Sequence, residues 1–208
     1  MAVSTMRDLL ATGLAQAGLL LSLVGLWVGS LTWTRAGRSL DRKAFRAINR
    51  LPELPVLDWA MWSITHLGSA WAGIAALTLA IVAGRSRFGL VIAASLLTVA
   101  TIIGVAKALT QRRRPYVELA GVRVIGLRPV DLSYPSGHTT VAFNLATLLA
   151  FGLAPAWPGC AGLYLAAAAV GYSRLHLGVH YPSDVLAGAV FGTGWGLLWA
   201  SFLALGGG

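Results

Sequence analysis

Three short groups of polar residues, in a chain that otherwise has few, are suited to hold a phosphate group. In chain order they are Lys107 with Arg114-Pro115, then Tyr134-Pro135-Ser136-Gly137-His138, then Ser173-Arg174 followed by His180 and Asp184. Lysine and arginine match the charge of a phosphate dianion, and arginine can donate two hydrogen bonds to it. A neutral histidine, with an ordinary pKa of about 6.5, is a competent nucleophile near pH 7. These residue types therefore predict a phosphate pocket with a histidine nucleophile.

The two motif histidines divide the predicted chemistry. Asp184 lies four residues after His180, and Pro182 between them suits the first turn of a helix. A carboxylate in that turn would accept the N–H of His180, fix its tautomer and stabilise its developing positive charge. We assign to His138 the protonation of the departing oxygen and the later activation of water.

The remaining motif residues are predicted to bind the phosphate oxygens. The transition state of phosphoryl transfer spreads negative charge over three oxygens, and Lys107, Arg114 and Arg174 supply positive charge. Ser136 and Gly137 precede a helical pattern, so their backbone N–H groups would face an anion at a helix N-terminus. A border cation alone is usually a snorkelling side chain, and Pro-Ser-Gly alone is a common turn. Their combination, in this order, indicates a site.

The composition places these residues in a membrane protein. Of 208 residues, 57% are hydrophobic and 11% are charged, and the mean hydropathy is +0.73, whereas charged residues approach a quarter of soluble domains. The net charge of +9 arises from bases clustered between apolar runs, which favours anionic lipid head groups over nucleic acid as partners. The single Cys160 cannot form an internal disulfide and is interpreted as packing.

The apolar runs predict an all-α, polytopic membrane protein with six transmembrane helices in one domain over residues 1–208. The predicted spans are residues 9–33, 68–83, 88–109, 138–153, 158–172 and 182–205. A cleaved signal peptide is the less favoured interpretation of the first run. Successive spans alternate in direction, so the motif residues, at the ends of spans three and five and the starts of four and six, all meet at one side.

A short interfacial helix is predicted after the first span. Residues 35–50 combine six basic residues with apolar residues at helical spacing, namely Leu40, Ala44, Ala47 and Ile48, followed by Leu51. This pattern is typical of a helix in the head-group plane. A solvated basic loop is an equally weighted alternative.

Two further features are interpreted as packing. Gly188, Gly192 and Gly196 repeat at every fourth residue of the last span, a small-residue stripe that permits close helix contact within the chain, with dimerisation as the alternative. His66 has no carboxylate or second ligand at a useful spacing.

The three groups of residues resemble the signature motifs of the type 2 phosphatidic acid phosphatase superfamily. The matching positions run from Lys107 to Asp184, and the six predicted spans extend the resemblance over nearly the whole chain. The resemblance implies a helical bundle that needs no metal or other cofactor. It also implies a phosphohistidine at His180, acid/base action at His138, and phosphate binding by Lys107, Arg114, Ser136, Gly137 and Arg174. His176 lies at a position that the motif leaves free, and we interpret it as a pocket wall or a substrate contact.

The expected substrate is a lipid phosphate whose tail stays in the bilayer. The resemblance favours undecaprenyl diphosphate, with phosphatidylglycerophosphate or phosphatidic acid as alternatives, and no obligate protein partner is evident. Four bases outside the motifs are candidates for a second phosphate: Arg112, Arg113, Arg123 and Arg128. Two alternatives of another class are a vanadate-dependent haloperoxidase and a non-catalytic binder or transporter of lipid phosphate.

Two arguments about orientation disagree. Outside the phosphate-binding cations, the motif side carries ten lysines and arginines and the opposite side carries three, so the positive-inside rule places the site in the cytoplasm. The resemblance implies an extracytoplasmic site in a multi-pass protein of the cell membrane. We follow the resemblance, because binding of head groups or substrate also explains surplus bases.

Overall fold

A computed structural model describes residues 2–50, 52 and 54–205, and within those residues the regular secondary structure is entirely helical. The helices are α1 (Ala2–Val28), α2 (Arg35–Asn49), α3 (Pro55–Ile64), α4 (Ala70–Val82), α5 (Ser86–Thr110), α6 (Pro115–Glu118), α7 (Gly137–Leu153), α8 (Trp157–His176) and α9 (Pro182–Ala204), with short 3₁₀ turns at Gly29–Trp33 and Thr65–Gly68. The predicted all-α class is confirmed.

Three helices in the described ranges are long and apolar enough to cross a bilayer. They comprise Met6–Val28, Ser86–Glu118 and Pro182–Ala204. Large apolar side chains on their outer faces, such as Leu20, Leu90 and Leu97, are exposed, as expected for residues that face lipid. The chain is therefore a membrane protein, while the predicted count of six spans is not confirmed by length and composition.

The second predicted span is a broken helix. Residues Pro55–Gly68 and Ala70–Val82 pass the test for a span together but are bent by 54°. Ser69, at the break, has an extended backbone that ends one helical segment and begins the next. Counting the pair as one span brings the number to four, and α7 is a shorter apolar helix.

The last helix packs between α1 and α7 through small residues. A Cβ added to Gly192 would lie 2.3 Å from the Thr140 carbonyl oxygen of α7. On the other side, a Cβ added to Gly25 of α1 would lie 2.4 Å from the Phe191 backbone nitrogen. Backbones this close leave no room for a side chain, so the prediction that the α9 glycine stripe packs within the chain is confirmed.

The segment after the first span is a helix, as predicted. Its buried residues are Asp41, Phe45 and Asn49, whereas Leu40 is 71% exposed. Two of the three buried side chains are polar and bond to residues far away in the chain, contacts that apolar spacing does not predict.

Candidate active site

The helix ends bring most of the predicted site residues together. Lys107 lies in the last turn of α5, and Arg114 lies just before α6. Ser136 precedes α7, and Gly137 and His138 are its first residues. Arg174 lies in the last turn of α8, and Asp184 lies in the first turn of α9, just after His180. Electrostatic interactions link His180 to Arg114, Arg174, Lys107 and His138. These residues, more than sixty positions apart at the extremes, therefore form one charged cluster.

His180 is held with its two ring nitrogens in different environments. The side chain is almost fully buried, at 1% exposure, and its Nε2 lies 3.1 Å from Nη1 of Arg114. A guanidinium only donates hydrogen bonds, so Nε2 is the acceptor and the proton of the neutral ring belongs on Nδ1. The Arg114 group is itself fixed, because the same Nη1 donates to the Val179 carbonyl oxygen at 2.9 Å.

The Nδ1 side of the ring faces Asp184 and Ser133. Nδ1 lies 3.5 Å from Oδ2 of Asp184 and 3.4 Å from Oγ of Ser133, both slightly longer than an ordinary hydrogen bond. That same Oδ2 accepts the Ser133 hydroxyl at 2.6 Å and the Tyr181 backbone N–H at 2.9 Å. The helix does begin at Pro182, so the predicted position of the carboxylate in its first turn is confirmed.

The pKa of His180 lies well below its usual value. The main cause is burial, and the charges of Arg114, Arg174 and Lys107 add to it. Both effects penalise a second proton on the ring. The imidazole is therefore neutral at physiological pH, the form required of a nucleophile.

Asp131, which was not among the predicted site residues, links two of the cations predicted to bind phosphate. Its Oδ1 accepts from Nη2 of Arg114 at 2.6 Å, and its Oδ2 pairs with the Lys107 ammonium. Burial raises the pKa of this carboxyl, but the hydrogen bonds and charges of Lys107 and Arg114 outweigh it and lower the pKa to about 2. An ionised carboxylate is thus already paired with the two cations that are predicted to bind phosphate.

The Pro-Ser-Gly-His turn forms the start of α7. The Ser136 backbone N–H donates to the Asp184 carbonyl oxygen at 3.1 Å, which ties this turn to the start of α9. Its hydroxyl lies 2.9 Å from Oγ1 of Thr139. A Cβ built on Gly137 would meet no heavy atom within 4 Å, so open space lies in front of this backbone. His138 follows, half-buried.

Arg174 is buried with part of its hydrogen-bonding capacity unused. Its Nη1 donates to Oγ1 of Thr65 at 2.8 Å, while its Nε is buried without a partner among the described residues. A buried guanidinium with a spare donor is suited to receive an anion.

Two of the four bases suggested for a second phosphate are already paired with acids. Arg112 pairs with Asp41 and with Asp184, and Arg123 forms two hydrogen bonds with Asp58, at 2.8 and 3.2 Å. Each of these guanidiniums already has an acidic partner, although Nε of Arg123 is buried without one among the described residues. A second phosphate site therefore stays a prediction. The other two, Arg113 and Arg128, are exposed.

His176, interpreted above as a pocket wall or a substrate contact, faces an acid on α3. It is 1% exposed, and its Nε2 lies 2.7 Å from Oδ1 of Asp58. Its role at a pocket wall or in contact with substrate stays a prediction. His66, by contrast, is exposed and its Nδ1 lies 2.8 Å from the Trp62 carbonyl oxygen.

The acids that sequence reasoning missed carry a usable signal. The chain has only seven acidic residues, and five of them form ion pairs on the motif side: Asp41, Asp58, Glu118, Asp131 and Asp184. In a chain with so few carboxylates, each is a candidate partner for a motif cation. Within the described ranges no three His, Cys, Asp or Glu side chains gather as a metal site, and independence of metal stays a prediction.

Two cavities adjoin this part of the fold. One, of about 200 Å³, is polar and is lined by Arg38, Arg42, Arg112 and Arg113 among others. The other, of about 640 Å³, is apolar and lies between α4, α5, α7 and α8. Its lining includes Val170, which packs beside Gly68 where that glycine faces the His138 carbonyl oxygen. The first α7 residue in its lining is Ala142, four residues after His138.

Known proteins share this sequence pattern and this fold. The chain is 29% identical over 162 residues to an undecaprenyl-diphosphatase of Sulfolobus acidocaldarius, which covers 77% of this chain and 75% of that protein. Among crystal structures, it is similar to a PAP2-type phosphatidylglycerolphosphate phosphatase of Bacillus subtilis, with a TM-score of 0.75, 27% identity, and coverage of 91% of this chain and 94% of that one. LpxE of Aquifex aeolicus gives a TM-score of 0.68 and 29% identity over 76% of this chain and 92% of that one.

The family assignment follows from sequence, fold and site together. The PAP2 superfamily matches residues 88–205, more than half of the 208 residues, and this range contains every predicted site residue. The chain therefore belongs to the PAP2 superfamily, and it is a membrane lipid phosphatase.

Proposed function

We propose that the chain removes a phosphate group from a membrane lipid through a phosphohistidine intermediate on His180. The observation that carries this proposal is the orientation of the ring. Its Nε2 lies 3.1 Å from the Arg114 guanidinium, while Nδ1 faces Ser133 and Asp184. The unprotonated nitrogen thus faces a cation that would hold the phosphate.

The reaction proceeds in two displacements. In the first, Nε2 of His180 attacks phosphorus, a P–N bond forms, and the bond to the lipid oxygen breaks as that oxygen takes a proton from His138. In the second, His138 removes a proton from water, the water oxygen attacks phosphorus, and the P–N bond breaks. Asp184 stabilises the positive charge on His180 throughout. Inorganic phosphate then leaves.

Lys107, Arg114 and Arg174 bind the phosphate oxygens in this proposal, with Ser136 and Gly137 as further donors. The unused buried donor of Arg174 and the open space in front of Gly137 support these roles. Asp131 bonds to Lys107 and Arg114, so an entering phosphate replaces this carboxylate at the two cations.

We favour a polyprenyl diphosphate such as undecaprenyl diphosphate as substrate. The name of the Sulfolobus relative and the apolar cavity of about 640 Å³ along α7 support a long hydrocarbon tail. The Bacillus structure makes phosphatidylglycerophosphate the second candidate.

We further propose six crossings of the cell membrane, with the site on the extracytoplasmic side and α2 in the head-group plane. Several bases that violate the positive-inside rule have local acidic partners, including Arg42 with Glu118 and Arg123 with Asp58, so they serve the fold of this side. A Cys160→Ala background carrying Arg128→Cys or Ser86→Cys tests the orientation. A membrane-impermeant maleimide applied to intact cells should label only the Arg128→Cys protein, and labelling of only the Ser86→Cys protein contradicts the proposal.

One assay tests the function. Purified protein in detergent is given undecaprenyl diphosphate, phosphatidylglycerophosphate and phosphatidic acid, each with and without a chelator. We expect phosphate release that resists the chelator, an acid-labile phosphoprotein in the wild type, and neither in His180→Ala. Release that persists in His180→Ala contradicts the nucleophile assignment. Binding without release from any lipid indicates a binder or transporter, and halide oxidation that requires vanadate indicates a haloperoxidase.

A further inference from the structure

The buried face of α2 contacts the segments that carry the candidate active site. The Phe45 ring packs edge-on against the Tyr181 ring, with centroids 5.6 Å apart. The Asn49 side chain exchanges two hydrogen bonds with the Arg123 backbone, at 2.8 and 3.0 Å. The third buried residue, Asp41, bonds to Ser183 at the start of α9. This helix lies outside residues 88–205, the range that the family shares.

Asp41 and Asp184 are joined by one guanidinium. Nη1 of Arg112 donates to Oδ1 of Asp184 at 2.6 Å and to Oγ of Ser183 at 2.7 Å, and its Nη2 pairs with Oδ2 of Asp41. Asp41 also accepts the Ser183 backbone N–H at 3.0 Å and its hydroxyl at 2.7 Å. The exposed fractions of the three charged side chains are 6% for Asp41, 13% for Arg112 and 0% for Asp184.

We propose that Arg112 and Asp41 form a clamp that positions the Asp184 carboxylate for catalysis, and that α2 is thereby part of the catalytic apparatus. The proposal rests on the function proposed above for His180 and Asp184. Neither Arg112 nor Asp41 touches the reacting atoms, so both are positioning residues.

The two oxygens of Asp184 show what the clamp does. Oδ2 faces Nδ1 of His180, and Oδ1 faces Arg112. A carboxylate fixed through one oxygen keeps the other directed at the imidazole, whereas a carboxylate free to rotate about its terminal bond orients the ring less well. The buried negative charge of Asp184 also needs a compensating cation, which Arg112 supplies.

The contacts of Arg112 argue against a role in binding phosphate. Its Nη1 and Nη2 are both directed at carboxylates, and its guanidinium carbon lies 4.3 Å from the centroid of the Tyr181 ring, over one face of that ring. An anion bound to either nitrogen would therefore break the contact with Asp184 or with Asp41. Arg114, in contrast, directs a donor at Nε2 of His180.

The test measures kcat and KM for phosphate release from farnesyl diphosphate by the full chain in detergent. For Arg112→Gln we expect kcat to fall about a hundredfold and for Asp41→Asn about tenfold, with KM within about threefold of wild type. Arg112→Lys keeps the charge but loses the planar fork, so it should recover part of the lost kcat. The double variant should lose no more than Arg112→Gln alone, because the two residues act as a unit.

The matched control is Arg42→Gln. Arg42 also lies on α2 and pairs with an acid on the motif side, Glu118 at the end of α6, and no bond to Asp184 is found for it. Its kcat should stay within about twofold of wild type. All rates are normalised to monodisperse, folded protein, and Asp41→Asn, which is isosteric, remains informative if Arg112→Gln does not fold.

Failure of the clamp and failure of the proposed function give different results. The clamp is overturned if Arg112→Gln and Asp41→Asn retain wild-type kcat, or if KM rises tenfold or more while kcat is unchanged, since the latter marks a phosphate contact. It is also overturned if kcat falls equally in Arg42→Gln, which marks a general structural role of α2. The proposed function fails instead if His180→Ala retains turnover.

Discussion

Two buried histidines, four residues apart in the chain, each face an aspartate, but they do so with different ring nitrogens. His176 directs Nε2 at Oδ1 of Asp58, 2.7 Å away, and its Nδ1 is buried without a partner in the described ranges. His180 directs Nδ1 towards Oδ2 of Asp184 and leaves Nε2 facing the Arg114 guanidinium. The comparison teaches that the ring nitrogen facing the carboxylate determines which nitrogen of the same ring is left to face a substrate.

The two aspartates also differ in the partners that hold them. Asp58 is shared between His176 and Arg123, so this pair joins α3 and α8 to the loop before α7. Asp184 is held by Arg112, Ser133 and the Tyr181 backbone. We interpret the first pair as a tie between segments and the second as part of the catalytic machinery.

The largest expected effect comes from exchanging the two imidazoles for an uncharged side chain. His180→Gln should lower kcat by about 10⁴-fold or more, because the nucleophile is lost. His176→Gln should keep kcat within about threefold but lower the free energy of unfolding by about 1–3 kcal/mol, because a buried partner of Asp58 changes. Phosphate release and thermal unfolding of both variants measure the two effects, and equal losses of turnover would remove the distinction.

The two aspartates give the next largest contrast. Asp184→Asn should lower kcat by about 10²- to 10⁴-fold, because an amide neither fixes the correct tautomer of His180 nor stabilises its positive charge. Asp58→Asn should mainly lower stability, because Arg123 loses its ion pair. The measurement is kcat per folded molecule beside the unfolding temperature. A loss of kcat in Asp58→Asn as large as that in Asp184→Asn would place both pairs in the reaction.

The sequence predicted the helices better than their boundaries and their number. Long apolar runs predicted α5 and α9, and Pro182 predicted the start of α9 correctly. The first helix begins at Ala2, before the predicted residue 9, because a helix continues through polar residues beyond its apolar part. The predicted count of six spans was not confirmed, because the second span is a helix broken at Ser69 and α7 is shorter than a span.

The motif residues were predictable because their types and order are informative, but their partners were not. Arg112 and Asp41 are 71 residues apart, and no local pattern links a basic residue before α6 to an acid on α2. Asp131 and Ser133 lie just before the Pro-Ser-Gly-His turn, and the scarcity of acids in the chain was a signal that favoured Asp131. For Ser133 only its proximity to the motif was visible.

A smaller effect separates two buried serines near the two histidines. Ser133 donates to Oδ2 of Asp184 at 2.6 Å, and Ser173, inside the third motif, donates to the Val170 carbonyl oxygen of its own helix at 2.6 Å. A hydrogen bond to a charged group contributes about 1.5–3 kcal/mol, so Ser133→Ala should lower kcat about tenfold. Ser173→Ala is the matched control and should change kcat by less than about twofold. A reversed order would show that Ser173, not Ser133, supports the catalytic carboxylate.

The smallest effect is the pH dependence of stability that His180 confers. The folded-state pKa of His180 lies well below the usual value, because of burial and then nearby cations, whereas in the unfolded chain it returns to about 6.5. Between these two values the unfolded chain binds the extra proton, so stability is complete above about pH 6.5 and falls as the pH drops, with a slope approaching about 1.4 kcal/mol per pH unit for one proton. Thermal unfolding in detergent between about pH 4.5 and 7.5 should therefore show a shallower acid slope for His180→Gln than for wild type. No substrate is present, so the ionisation of a phosphate group does not contribute to these slopes. Identical slopes in the two proteins would mean that His180 takes up its proton as readily in the folded site as in water.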